Sequence, residues 1–146
     1  GFLLNVNGGP KTLNFINTGV PHTVMVTDSL EKISVDDLGR KIRFDSKFAP
    51  RGTNVNFISF QKIGGSSNSI AIRTYERGVE RETKACGTGS TASAIVSSLA
   101  GYTAPPARVK TSGGEILTIS FKRNGKKITD VFLEGKARFV YEGKFL

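Results

Sequence analysis

A chain of 146 residues with 38% hydrophobic and 23% charged residues can bury the core of one domain and is short for two, so a single domain over residues 1–146 is expected. Its formal charge of +9 invites a nucleic-acid reading, but Lys122, Arg123, Lys126 and Lys127 gather only around Asn124-Gly125, where a solvated hairpin tip carries charge anyway, and no nucleic-acid motif is present. No apolar run approaches the ~18 residues of a membrane span and no signal sequence is visible, so no nucleic-acid or membrane partner and a cytoplasmic location are expected; a single Cys excludes an internal disulfide and a Cys-rich zinc site.

In chain order, Leu3 to Val6 and Thr12 to Ile16 read as strands around Gly8-Gly9-Pro10, and Thr23 to Val26 follows a Gly19-Val20-Pro21 turn. A helix is predicted from about Ser34: Val35, Leu38 and Ile42 share one face and Asp37 stands as in a capping box, although Gly39 disfavours the helix interior. Asn54 to Gln61 and Ser69 to Tyr75 are β-rich and flank Gly64-Gly65-Ser66-Ser67-Asn68, a hairpin-loop composition. A second helix, Thr88 to Leu99, places Ala92, Ile95, Val96 and Leu99 at helical spacing, with Gly101 as its stop and Pro105-Pro106 beyond. Arg108 to Thr111 and Ile116 to Phe121 flank Ser112-Gly113-Gly114. Asn124-Gly125 supplies the positive φ values of a tight hairpin, and Ile128 to Leu133 and Ala137 to Tyr141 surround Glu134-Gly135.

The second helix is unusual in composition. Its remaining positions are Gly89, Ser90, Thr91, Ser93, Ala94, Ser97 and Ser98, whereas a surface helix carries Lys and Glu on one side. A helix without charge is enclosed on most sides, so the expected fold class is α+β: a curled, barrel-like sheet, mainly antiparallel or mixed, wrapped around a central helix.

At the start of that helix stands Cys86, followed by Gly87-Thr88-Gly89. A helix N-terminus leaves backbone N–H groups unpaired and carries partial positive charge, so it stabilises a thiolate or a carboxylate. Glycines there let a ligand's oxygens approach the backbone closely. An amino acid held by its α-carboxylate would bring its Cα within reach of the sulfur, the geometry for abstracting an α-proton. A lone Cys is usually a small buried hydrophobe and a Gly-rich helix start is often only a turn; the two features together, with Glu76 and Arg77 upstream, favour chemistry.

Tyr75-Glu76-Arg77-Gly78 followed by Ala85-Cys86-Gly87-Thr88-Gly89-Ser90 resembles the second catalytic motif of the diaminopimelate epimerases. Asn17-Thr18-Gly19-Val20-Pro21-His22 and Phe48-Ala49-Pro50-Arg51-Gly52-Thr53-Asn54-Val55-Asn56-Phe57 agree with the same family in order and spacing, so the resemblance runs along essentially the whole chain. Those enzymes are two-lobed, with the active site in the cleft between similar lobes, and this chain resembles the C-terminal lobe. The chain begins at Gly1 rather than Met, and the N-terminal lobe with its own cysteine is expected upstream as the partner this chain lacks.

The resemblance implies interconversion of LL- and meso-diaminopimelate, a precursor of lysine and peptidoglycan, with no cofactor: neither pyridoxal phosphate nor metal. One Cys thiolate removes the α-proton and a Cys thiol on the opposite face returns one. Carried over residue by residue, Cys86 is one acid/base, and the Gly87 and Thr88 amides hold the reacting carboxylate. Glu76 contacts the reacting amino group and helps set the Cys86 proton state, Arg77 pairs with the distal carboxylate, and Asn54 bonds the distal amino-acid end. His22 resembles the family's site histidine that tunes a neighbouring thiol, against the bland reading of a satisfied structural group. Val20 departs from the Asn that many members carry there. With one Cys the two-base reaction cannot run inside this chain, so the lone lobe is expected to be inactive, and a homodimer would have to set two copies of the same face together. The competing readings are a proline racemase-like epimerase, the fold-related isomerases that lack catalytic cysteines, against which Cys86 speaks, and a non-catalytic module that binds a carboxylate at Gly87 to Gly89.

Overall fold

The computed structural model describes residues 1–62, 65 and 67–145. Among them nine strands form one mixed sheet: β1 (Phe2–Val6), β2 (Gly9–Asn17), β3 (Pro21–Val26), β4 (Asn54–Phe60), β5 (Ser69–Glu76), β6 (Arg81–Thr83), β7 (Ala107–Lys110), β8 (Ile116–Asn124) and β9 (Lys127–Glu134). The spatial order is β1-β2-β3-β4-β5-β7-β8-β9, with β6 on β5. Two neighbouring pairs, β3 with β4 and β5 with β7, are parallel, and the others are antiparallel. Each parallel pair needs a crossover, and each crossover contains a helix: α1 (Val35–Arg43) between β3 and β4, α2 (Gly87–Leu99) between β5 and β7.

Because side chains alternate along a strand, the same strands feed two cores. Even-numbered residues of the central strands, Val24, Ile58, Ile70 and Ile72, pack with Ala92, Ile95 and Val96 of α2. Odd-numbered ones, Met25, Val55, Phe57 and Tyr75, pack with Val35, Leu38 and Ile42 of α1. The sheet curls round α2, which touches β2, β3, β4, β5, β7, β8 and β9. Nearly every residue of α2 from Gly89 to Ser98 is buried, which is why it carries no charge. Gly39 in α1 has a packing reason: a Cβ there would come within 2.5 Å of Tyr75 Cβ, so the gap in helix propensity is what lets α1 lie against that ring.

Several local expectations shift. The first hairpin turns on Asn7-Gly8, both at positive φ, with Val6 opposite Gly9; this is the pair a tight two-residue turn demands, and Gly9-Pro10 belongs to β2. The last hairpin turns on Gly125-Lys126, with Asn124 opposite Lys127, so only Gly125 takes positive φ. Ser34 caps α1 without a side-chain bond, and Asp37 instead pairs with Lys41 one turn on, at 3.2 Å. Leu99 is exposed and falls off the inner stripe of α2. The 64–68 loop lies partly outside the described residues.

Ala137 to Tyr141 is not a strand. Gly135 has no positive φ, and a Cβ on it would come within 2.8 Å of Leu117, so the chain leaves β9 by packing on β8 rather than by reversing. Lys136 to Arg138 then run past the Gly113 to Ile116 turn, leaving Phe139 and Tyr141 almost wholly exposed. In the basic hairpin, Lys122 pairs with Asp130 at 2.9 Å and the Arg123 guanidinium donates to the carbonyls of Gly125 and Ser98. No helix among the described residues is long and apolar enough to cross a membrane.

Candidate active site at the start of α2

The thiol is placed from both sides in sequence. Cys86 is the N-cap of α2, in extended conformation, and its Sγ accepts from the Gly89 N–H at 3.4 Å. Thr88 Oγ1 lies 3.5 Å from the same sulfur. The amides of Gly87 and Thr88, in the first turn, have no intrahelical acceptor, and both residues are exposed. Cys86 is only 9% exposed, and its sulfur has the Gly89 amide and the Thr88 hydroxyl as polar neighbours.

The approach to Cys86 is clipped by a distant turn. Gly113 N–H donates to Lys84 O at 2.8 Å, and Ser112 Oγ to Thr83 O at 3.0 Å. A Cβ on Gly113 would sit 3.0 Å from that Lys84 oxygen, so the glycine is what lets the two backbones meet.

Below α2 the even-numbered positions of β3, β4 and β5 turn polar at one end of the sheet: His22, Asn54, Asn56, Thr74 and Glu76. The registers His22 to Asn54 and Asn56 to Thr74 set them side by side. Asn56 is the hub: it accepts from Thr74 Oγ1 at 3.0 Å, and its Nδ2 lies 3.1 Å from both Thr23 O and His22 Nδ1. A Cβ on Gly89 would meet Asn56 Oδ1 at 2.4 Å and Cys86 Sγ at 3.2 Å, so the polar layer lies directly under the thiol's turn. His22 is fully buried, and its Nε2 has no hydrogen-bond partner among the described residues. Burial, with the positive charge of Arg77 second, lowers its pKa from 6.5 to about 4.

Asn54 braces the end of the sheet: Nδ2 donates to Pro21 O at 3.1 Å and Oδ1 accepts the Arg77 N–H at 2.8 Å. The turn that follows Glu76 is built round Glu80. Its carboxylate accepts from Gly78 N–H, Arg43 and Tyr75 OH at 2.9 to 3.2 Å; burial alone would raise its pKa, but these partners hold it below the ordinary carboxylate value. Glu76 and Arg77 are half-buried at the neck of this turn, and neither forms an ion pair among the described residues. Among the described residues the Arg77 guanidinium makes one bond, to Arg51 O at 3.3 Å, and keeps N–H groups for an anion.

The seven residues singled out in the sequence therefore fall at one end of the sheet, but in different capacities. Cys86, Gly87 and Thr88 form the helix start, Glu76 ends β5 with Arg77 next to it, His22 is sealed beneath, and Asn54 is engaged in tying β3 to the turn after β5. Asn56, Thr74, Glu80 and Ser112 were not singled out. The alternation Asn54-Val55-Asn56 was the available signal for Asn56, since it sets two amides on one face of a strand. Among the described residues no three His, Cys, Asp or Glu gather as metal ligands.

The fold places the chain in a structural class shared with two solved proteins. A Bacillus anthracis phenazine biosynthesis protein of the PhzF family superposes with a TM-score of 0.53 at 15% identity, over 86% of this chain and 38% of that one. A hydroxyproline epimerase from Agrobacterium vitis, solved with bound trans-4-hydroxy-L-proline, gives 0.50 at 16% identity, over 79% and 38%. Sequence narrows the class. Residues 14–140 match the diaminopimelate epimerase family model. The diaminopimelate epimerase of Aquifex aeolicus is 51% identical over 97% of this chain and 48% of its own length, and that of a Hydrogenobaculum species 47% over 89% and 45%. The chain belongs to the diaminopimelate epimerase family of isomerases, and it spans about half the length of these relatives.

Proposed function

We propose that this chain is the C-terminal lobe of a cofactor-independent diaminopimelate epimerase and supplies one of its two acid/base cysteines. The observation that carries the reading is Cys86 as the N-cap of α2, with the Gly89 N–H on its sulfur and two further first-turn amides beside it. A substrate α-carboxylate on the Gly87 and Thr88 amides brings Cα to the thiolate. Cys86 takes the α-proton, the electron pair of the broken C–H bond delocalises into the carboxylate, and the helix N-terminus stabilises that charge. A thiol from the other lobe delivers a proton to the opposite face, inverting Cα; the reverse reaction exchanges the roles.

Glu76 receives the reacting amino group, and Arg77, which has no ion-pair partner among the described residues, pairs with the distal carboxylate. Asn54 acts at the distal end through the Arg77 backbone it holds as well as through its remaining N–H. That guanidinium favours a substrate with a second carboxylate over a proline-like one, and parallel assays on diaminopimelate and proline separate the two. A carboxylate binder without chemistry is separated by alkylation: slow, ordinary reaction of Cys86 with iodoacetamide would favour it.

The test is Cα deuterium incorporation from D2O into LL-diaminopimelate. The 146-residue chain alone is expected to give none, and addition of the N-terminal lobe to restore exchange that Cys86→Ala abolishes. Exchange by the lone chain that depends on Cys86 would overturn the half-site reading; no exchange with both lobes present would overturn the epimerase reading.

A further inference from the structure

The hydrogen-bond pattern beneath Cys86 fixes a proton. Asn56 Nδ2 faces Thr23 O at 3.1 Å, and a carbonyl oxygen only accepts, so the atom there must be the amide nitrogen and not the amide oxygen. The oxygen end accordingly accepts from Thr74 Oγ1 at 3.0 Å. The same nitrogen lies 3.1 Å from His22 Nδ1 and presents its second N–H to it. Nδ1 must therefore offer its lone pair, and a neutral imidazole with a lone pair at Nδ1 carries its proton on Nε2.

We propose that Asn56 is a positioning residue that locks His22 as the neutral Nε2–H tautomer, so that His22 serves the site as a fixed hydrogen-bond donor and not as a base. Nε2 is buried without a partner among the described residues. An imidazolium would need a proton on Nδ1, set against the N–H of Asn56, so the contact opposes protonation in the same direction as burial and the charge of Arg77. The other ionisable groups at this end of the α2 face are Glu76 and Arg77 at the end of β5 and Cys86 at the helix start. A donor that cannot titrate near neutral pH suits a site that must carry negative charge on a thiolate or carboxylate, because it stabilises the anion without trading a proton with it. This use of the donor rests on the epimerase reading; the tautomer does not.

His22 is the sole histidine of the chain, so two-bond 1H–15N correlation spectra of the labelled protein report it without assignment. Between about pH 5 and 8, around the ordinary imidazole range, Nε2 is expected as the protonated, pyrrole-type nitrogen and Nδ1 as the pyridine-type one, with no titration near neutrality. Asn56→Asp puts an acceptor against Nδ1 and should move the proton there, raising the His22 midpoint by about one pH unit or more. Asn56→Ala should leave a mixture of tautomers. A wild-type Nδ1–H signal, a midpoint near that of free imidazole, or an unmixed Nε2–H signal in Asn56→Ala would each overturn the proposal. No substrate or second lobe enters the experiment, so its failure is distinct from failure of the epimerase assay.

Discussion

The two faces of the central strands are equally dry and are held together differently. On one face, Val55, Phe57 and Tyr75 are at most 1% exposed and pack against α1; on the other, one residue along, His22, Asn56 and Thr74 are at most 3% exposed beneath the start of α2. The first set is held by area removed from water, which is non-directional and tolerates small shifts. The second is held by a chain of hydrogen bonds, in which every buried polar atom must find a partner or cost free energy. Along that chain one atom, His22 Nε2, is left without one among the described residues. The comparison teaches that alternate residues of the same strands can carry a polar site on one face while the other face supplies the packing.

Damage to the α1 face should be large in stability and silent at the thiol. Phe57→Ala is expected to cost about 3–5 kcal/mol in urea denaturation, with the iodoacetamide reactivity of the folded protein unchanged. A loss in reactivity below the unfolding transition would mean the faces are coupled. Gly89→Ala reverses the pattern. The new Cβ meets Asn56 Oδ1 and Cys86 Sγ, and Asn56 is held by its bonds on both ends, so the expected loss is about 1–3 kcal/mol, with a change in the alkylation rate of Cys86. A stabilised variant, as helix propensity alone would give, would show that the polar layer yields. The smallest effect is in acid. The folded pKa of His22 lies below its unfolded value of 6.5, so the unfolded chain binds the extra proton: stability is intact above that value and falls as pH drops from 6.5 towards 4. Between pH 7 and 5.5 the loss should be about 1 kcal/mol, and it should vanish in His22→Gln.

The face round α2 was legible in the sequence because a helix composed of Ser, Ala, Thr and Gly has nothing to offer solvent. The α1 face was half legible: Val35, Leu38 and Ile42 announced an amphipathic helix, but not that Gly39 was shaped to a tyrosine thirty-six residues on. Alternation found the strands and failed at Ala137 to Tyr141, since it reports a periodicity and not whether a partner edge is reached. In the site, Cys86, Glu76 and Arg77 were readable because they stand close together in the chain, between the end of a strand and the start of a helix. The pairing of His22 with Asn56 was not, because it depends on a parallel register across a crossover that contains α1, and nothing local in Asn54-Val55-Asn56 says that its polar side is as buried as its apolar one.

The clip of Gly113 and Ser112 on the strand leading to Cys86 has a consequence in time. The backbone leading to Cys86 is held by residues that follow the entire α2 helix in the chain, so while the protein is being made the thiol emerges long before the turn that holds its approach. Until residues 112 and 113 dock, the Thr83-Lys84 backbone lacks these bonds to the turn. Placement of the thiol is thereby tied to closure of the sheet over its helix, and a half-folded chain would carry Cys86 without these bonds on the backbone that leads to it.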